Sequence, residues 1–466
     1  EFNTDESMVT LKSFLGMIAA VPFIMACNQT GQVNATLFPA SGSENVNPDT
    51  HLVLTFSETP VLGDSGMIRV YDAVTDQVVD SLDLSIPSGP TESRTYGPEC
   101  DYTKVPYDYT RTVVPTNKDT RPGTPSGTAE PTPPVYQLTI IGGFTDAFHF
   151  YPVIVRDSIA TIYLHNNMLE YGHTYYVTID NGVLNLADGS FQGVTKEDEW
   201  TFTTKSDMPE LSDTLIVDAT GKGDFNTVQG ALDFIPDFNE QQTVILVNPG
   251  DYEELVYTRN KWNVKIKGAG MADTKVHYAN NEVFNPHPLT VKTNEWPGTF
   301  PSRRAAFMLD NCKDIVIEDM TIATDLKGQA EGLLINGERI ALYRVHIIGS
   351  GDALQANGTI YMESCELDGG GDTILGRGSL FAYKSNFRNG GGPFSWVRNT
   401  AGNHGNVFVE CTFSTEDGKQ ADYGRTKSNH GSAYPDAEFV LIDCKVKNII
   451  PEGWSSIGAK TAKMYE

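Results

Sequence analysis

The sequence predicts a mostly-β protein in two parts: a β-sandwich over residues 36–205, then a parallel β-helix over residues 214–466. Three observations predict it. Between 36 and 205, short runs rich in Val, Ile, Thr and aromatics (HLVLTF, MIRVYDA, YQLTII, ATIYLH, TYYVTI, EWTFTT) alternate with turn residues, and no long helical period interrupts them. Farther on, apolar runs begin at Ile315, Ile340, Ile360, Leu380, Asn406 and Phe439, at steps of 25, 20, 20, 26 and 33 residues. A period of about twenty with extra residues in some turns marks a solenoid whose rungs stack over one continuous core. The sixth place of each run holds Met320, Val345, Cys365, Ser385, Cys411 or Cys444, which reads as an inward ladder of small or soft side chains.

A chain of 466 residues can bury two or three cores. Its net charge of −26 argues against nucleic acid and anionic membrane surfaces as partners, but still permits action on a neutral or partly esterified sugar polymer. Residues 8–27 (MVTLKSFLGMIAAVPFIMAC) read as an export leader, too short to span a membrane, with 1–7 before the apparent start as a possible cloning scar. Ile24 to Cys27 resemble the lipobox of bacterial lipoproteins. That resemblance implies lipidation of Cys27, a membrane contact only through that anchor, and a place in the bacterial cell envelope; an ordinary signal peptide is the alternative. The other cysteines show no C-x-x-C pair and no zinc spacing, so buried thiols are expected, with a disulfide left open. No cofactor or metal is expected.

After a tether at 28–35, the sandwich segment carries a Pro-, Thr-, Gly- and Tyr-rich insertion at 87–134, expected as a surface excursion. NVNPDTHLVLT (45–55), LEYGHTYYVTID (169–180) and the closing WTFTT resemble the Ig-like domains appended to bacterial envelope proteins. A linker at 206–213 leads into LIVDATGKGDFNTVQGALDFIP. This reads as a strand, a glycine turn, and a helix with Val228, Ala231, Leu232 and Ile235 on one face, stopped by Pro236. Walker and Rossmann patterns are absent, so Gly221 and Gly223 are turn residues.

The repeat has a chemical consequence between Ile340 and Gly376. Aligning IALYRVHI on IYMESCEL sets Ile340 against Ile360, Ile347 against Leu367 and, at the same offset of 20, Asp352 against Asp372. Neighbouring rungs lie about 4.8 Å apart, so the two carboxylates should sit side by side. Like charges that close raise one pKa, letting one carboxyl serve as acid while the other stays ionised. Aspartate beside glycine is also ordinary turn chemistry, and the spacing alone leaves both readings open.

Motifs from Leu215 onward resemble the pectin methylesterase family. GDFNTVQGALDFIP is similar to its GDF-x-T-[VI]-Q opening; Gly250, Tyr252 and Glu254 to G-x-Y-x-E; Gln329-Ala330 with Leu333 to Q-A-x-x-L. Gly349, Asp352 and Leu354 resemble G-Y-Q-D-T-L, Gly371-Asp372 with Gly376 loosely G-x-V-D-F-I-F-G, Gly424-Arg425 G-R-P-W, and Pro451 to Trp454 the closing motif. The resemblance implies a right-handed parallel β-helix that hydrolyses methyl esters of pectin (homogalacturonan) as a monomer without cofactor. It implies Asp372 as nucleophile, Asp352 as acid and base, Gln329 as oxyanion donor, and Arg425 as partner of the nucleophile.

Two departures stand out. Gly351 replaces the glutamine before the first aspartate, and Thr426-Lys427 replace Pro-Trp after the arginine. Trp396, Phe394 and Tyr423 are candidates to restore a sugar-stacking surface, and Lys427 to contact a galacturonate carboxylate. The histidines form no H-E-x-x-H, and no G-x-S-x-G is present, so neither a zincin nor a nucleophile-elbow esterase is indicated. An esterase for another ester and a non-catalytic glycan-binding envelope protein remain the alternatives.

Overall fold

The computed structural model describes residues 33–89, 137–144, 148–211, 214–282, 284–285, 302–426, 434–455 and 462–465. The leader with Cys27, the insertion from 90 onward with Cys100, and Lys427 and His430 lie outside the described residues.

Two sheets make the sandwich. One orders Thr36–Phe38, Leu52–Thr55, Ile159–Ile162 and Val153–Arg156, all antiparallel. The other orders Ser43–Val46, Thr201–Thr204, Thr174–Ile179, Met67–Asp72 and Gln77–Asp83. Alternation drives the packing: Leu52, Leu54, Ile68, Val70, Val177 and Phe202 point inward and are buried, with Trp200 among them. The buried Trp200 indole N–H is satisfied by the Pro39 carbonyl at 2.8 Å.

From Thr214–Val217 to Lys463–Tyr465, 21 strands join in one parallel sheet wound as a right-handed β-helix. The expected register is observed. Ile340 faces Ile360, which faces Leu380, then Asn406, then Phe439; Ile347 faces Leu367. Met320, Val345, Cys365, Ser385 and Cys411 are buried in succession, with Cys444 partly so. The four described cysteines are free thiols.

The residue before each ladder position makes the bend. Asp319, Arg344, Ser364, Lys384, Glu410 and Asp443 all adopt φ between 48° and 58°. Such left-handed backbone is uncommon away from glycine, and its recurrence once per rung turns the chain sharply between two faces of the helix. Their side chains point to solvent, where Arg344 Nε donates to Asp319 at 2.6 Å.

The only α-helix described, Val228–Phe234, lies against the first rungs. Its N-terminus is capped three times. Thr227 Oγ1 accepts from the Gly230 amide, Glu254 accepts from the Val228 and Gln229 amides, and Asp49 of the sandwich accepts from the Asn226 and Thr227 amides. The G-x-Y-x-E glutamate is thus a structural cap here. The sandwich does not stand off on its linker: Ile141, Phe144 and Phe148 pack on Tyr257, Met308 and Leu334 in a shared core. Arg156 also pairs with Glu253 across the seam.

Candidate active site

The site forms at the turns that lead into strands Leu354–Glu363 and Ile374–Gly376. Leu354 pairs with Ile374, and the Ala353 amide donates to the Thr373 carbonyl at 2.9 Å, so Asp352 and Asp372 occupy equivalent places in successive rungs. Glycine lets these turns stack backbone on backbone. The Gly370 and Gly371 amides both donate to the Gly351 carbonyl, and a Cβ on Gly370 would lie 2.4 Å from the Ser350 oxygen. Asp372 has φ of 48°, a left-handed turn conformation that aspartate tolerates better than most residues.

Gln329, Asp352, Asp372 and Arg425 all line one cleft of about 600 Å³, with Lys327, Ser350 and the turn glycines. Arg425 holds Asp372 with two arms: Nε donates to Oδ1 at 2.8 Å, and Nη2 donates to Oδ2. Such a planar fork fixes both carboxylate oxygens. Asp372 nevertheless keeps 17% of its side chain exposed, enough to meet a ligand.

Asp352 is the more buried, with 9% of its side chain exposed. Burial holds its carboxyl well above the usual carboxylate range. Arg304 pulls it down, Glu331 and Asp372 push it up, and Arg398 pulls it down again. A buried carboxyl that favours its protonated form beside an arginine-paired carboxylate provides an acid and a nucleophile in adjacent rungs. Gln329 is the one side-chain amide lining the cleft among the described residues. With Gly351 in the next rung, no second side-chain amide among the described residues lines it.

The aromatic candidates separate. Phe394 and Tyr423 are 0% and 2% exposed and pack on Phe413 inside the β-helix, so neither presents a face to a sugar. They are core residues, contrary to the expectation. Trp396 faces outward opposite Arg425, whose guanidinium carbon lies 4.0 Å from its ring centroid; Arg398 lies 4.6 Å from the same centroid. Trp396 is thus a platform for the arginine that grips Asp372. Lys427 falls outside the described residues.

Among the charged residues at the site that escaped the sequence reading, Arg304 and Glu331 are the most closely tied to it. Arg304 donates to Asp352 Oδ2 at 3.0 Å, to Gln329 Oε1 at 2.9 Å and to fully buried Glu331 at 2.6 Å. The tandem Arg303-Arg304 in an acidic chain, and a glutamate inside the apolar QAEGLLI, were the available signals.

The pectinesterase family model matches residues 214–463. Among curated relatives, pectinesterase QRT1 of Arabidopsis thaliana is 28% identical over 258 residues, covering 52% of this chain and 64% of the relative. Probable pectinesterase 8 of the same plant is 25% identical over 259 residues, covering 52% and 62%. The chain thus spans less than two thirds of the length of either. Of the solved structures, a pectin methylesterase from Aspergillus niger shares 18% identity at a TM-score of 0.44, covering 56% of this chain and 85% of that one. Pectin methylesterase PemA from Erwinia chrysanthemi shares 17% at 0.41, covering 52% and 80%. With more than half of its residues matched by the family model, and the matched stretch coinciding with the β-helix that carries the cleft, the chain belongs to the pectinesterase family.

Proposed function

We propose that the protein hydrolyses methyl esters of pectin, releasing methanol and leaving galacturonate carboxylates. The observation that carries this reading is the pairing of a forked Arg425–Asp372 carboxylate with a buried, protonation-prone Asp352 one rung away in the same cleft. An oxygen of Asp372 attacks the ester carbonyl, and the Gln329 amide donates to the oxyanion that forms. The tetrahedral intermediate collapses as Asp352 gives its proton to departing methanol, leaving the acyl group as an anhydride on Asp372. Asp352, now a carboxylate, takes a proton from water; the hydroxide adds to the acyl carbon, and collapse restores Asp372 and frees the product acid.

Family membership supports a polysaccharide substrate. The lipobox-like Ile24 to Cys27 supports a lipoprotein held in the bacterial envelope through Cys27; the chain is proposed to act as a monomer, and the sandwich as an Ig-like module. Lys427 remains a proposed contact for a free galacturonate carboxylate.

The test is methanol release from highly methylated pectin by the parent, Asp372→Asn and Asp352→Asn. The expected result is release by the parent and a loss of about three orders of magnitude or more in each variant. A folded parent that releases none overturns the reading; equal release by all three overturns the roles. Gly351 favours one second reading, the same chemistry on a different ester, for which acetate release from acetylated glycans in the same assay is the discriminating signal.

A further inference from the structure

Arg304 and Glu331 take no part in the steps above, yet Arg304 is bonded to two residues that line the cleft, Gln329 and Asp352, and to Glu331 behind them. Arg304 lies just before strand Phe307–Lys313, and Glu331 lies between Gln329 and strand Leu333–Ile348. Arg304 Nε donates to both Glu331 oxygens at 2.8 and 2.9 Å, and Nη2 donates to Glu331 at 2.6 Å and to Asp352 at 3.0 Å. Its Nη1 donates to Gln329 Oε1 at 2.9 Å and to Glu282 at 3.4 Å.

A guanidinium has five N–H donors and no acceptor. All five point at protein oxygens here, which leaves none for a substrate. The same property orients Gln329: only its carbonyl oxygen can face Arg304, so the amide N–H₂ is the end left for the cleft. Gln329 is the one side-chain amide lining the cleft among the described residues, so this orientation decides whether the cleft has a side-chain amide donor at all.

We propose that Arg304 and Glu331 are positioning residues, a charge-balanced fork that fixes which end of the Gln329 amide meets the substrate and holds the Asp352 carboxyl in place. The inference rests on the ester-hydrolysis reading above. Balance matters because Asp352 is faced by several charges. Arg304, Arg398 and Arg425 favour its ionised form, while Glu331 and Asp372 oppose it. Without Glu331, the guanidinium would keep only Glu282 at 3.4 Å as a second acidic partner, and more of its charge would bear on the group that must deliver a proton.

The experiment follows kcat and KM for methanol release from methylated pectin across about pH 4 to 10, with the Asp352 carboxyl titrated by ¹³C NMR in the same full-length proteins. In Glu331→Gln, the Asp352 titration and the alkaline limb of kcat should both move down by about one pH unit or more. KM should change by less than about threefold. In Arg304→Gln/Glu331→Gln both charges vanish, so the limb should return to near the parental position while kcat stays about tenfold or more below parent. Arg304→Lys, which keeps the charge but loses the fork, should lower kcat without moving the limb, and serves if the glutamine variants do not fold. An unmoved Asp352 titration in Glu331→Gln, or parental kcat in the double variant or in Arg304→Lys, overturns the proposal. Absence of methanol from the parent would instead defeat the ester-hydrolysis reading, and the NMR titration would still decide the charge balance.

Discussion

Arg425 stands directly opposite Trp396 in the next rung, with its guanidinium carbon 4.0 Å from the indole centroid while its nitrogens grip Asp372. The ring faces one side of a planar cation whose edge is spent on a carboxylate. A lysine can supply the charge there but neither the fork nor the stacking plane. Arg425→Lys is therefore expected to lower kcat for methanol release by about 10- to 100-fold with KM nearly unchanged; parental kcat would show that charge alone suffices.

Phe394 and Trp396 sit two residues apart and should fail in different ways. Phe394 is fully buried, so Phe394→Ala should cost about 3–5 kcal/mol of stability, with KM unchanged in whatever fraction stays folded. Trp396→Leu should cost far less stability and lower kcat about tenfold, because the platform under Arg425 is lost. Denaturant melts beside steady-state kinetics separate the two, and a common pattern in both variants would refute the distinction.

Asp352 makes stability depend on pH in a stated direction. Its folded-state pKa is raised, chiefly by burial, so its contribution is complete below the unfolded value of about 3.9 and is lost as pH rises toward the folded value. Asp352→Asn cannot ionise and escapes that loss. Its melting temperature should exceed the parent's by a few degrees at pH 8, with the difference shrinking toward pH 4. A difference that is the same at both ends would mean that the carboxyl ionises as easily folded as unfolded.

Gly351 invites restoration of the family glutamine. A Cβ there would lie 3.1 Å from the Gly328 carbonyl oxygen, a crowded approach relieved by a shift of a few tenths of an ångström in that turn. Gly351→Gln should raise kcat on methylated pectin about three- to tenfold by adding a donor to the oxyanion site. A fall in kcat with unchanged stability would indicate that this glycine serves a differently shaped ester.

The rungs were legible because burial repeats. Ile340, Ile360 and Leu380 must each cover the same core, and that necessity carries the flanking aspartates into line. What the repeat does not govern was hidden. Glu331 does stand two residues before Leu333 as Asp352 stands before Leu354, but at an offset of 21 rather than 20, and its pairing with Arg304 is made only by the turns in three dimensions. Phe394 and Tyr423 stood as candidates for a sugar-stacking surface because the sequence does not show which side of the strand they take. At the corner of a rung, however, one step along the strand exchanges core for cleft, and both fall on the core side. The depth of the seam was equally unreadable: Asp49 capping a helix about 180 residues away leaves no local trace.

The stacked turns that bear Asp352 and Asp372 amount to a ruler cut into the main chain. The interval between the two turns is set by amide–carbonyl bonds such as Ala353 to Thr373 and Gly370 to Gly351, whatever side chains then hold the carboxylates. Drift in the sequence can therefore erode rims, loops and even oxyanion donors while that interval persists. Inserting one whole rung between the aspartates would double it to about 9.6 Å. In such a lineage, pocket and preference can wander widely, but the number of rungs separating the two acids cannot.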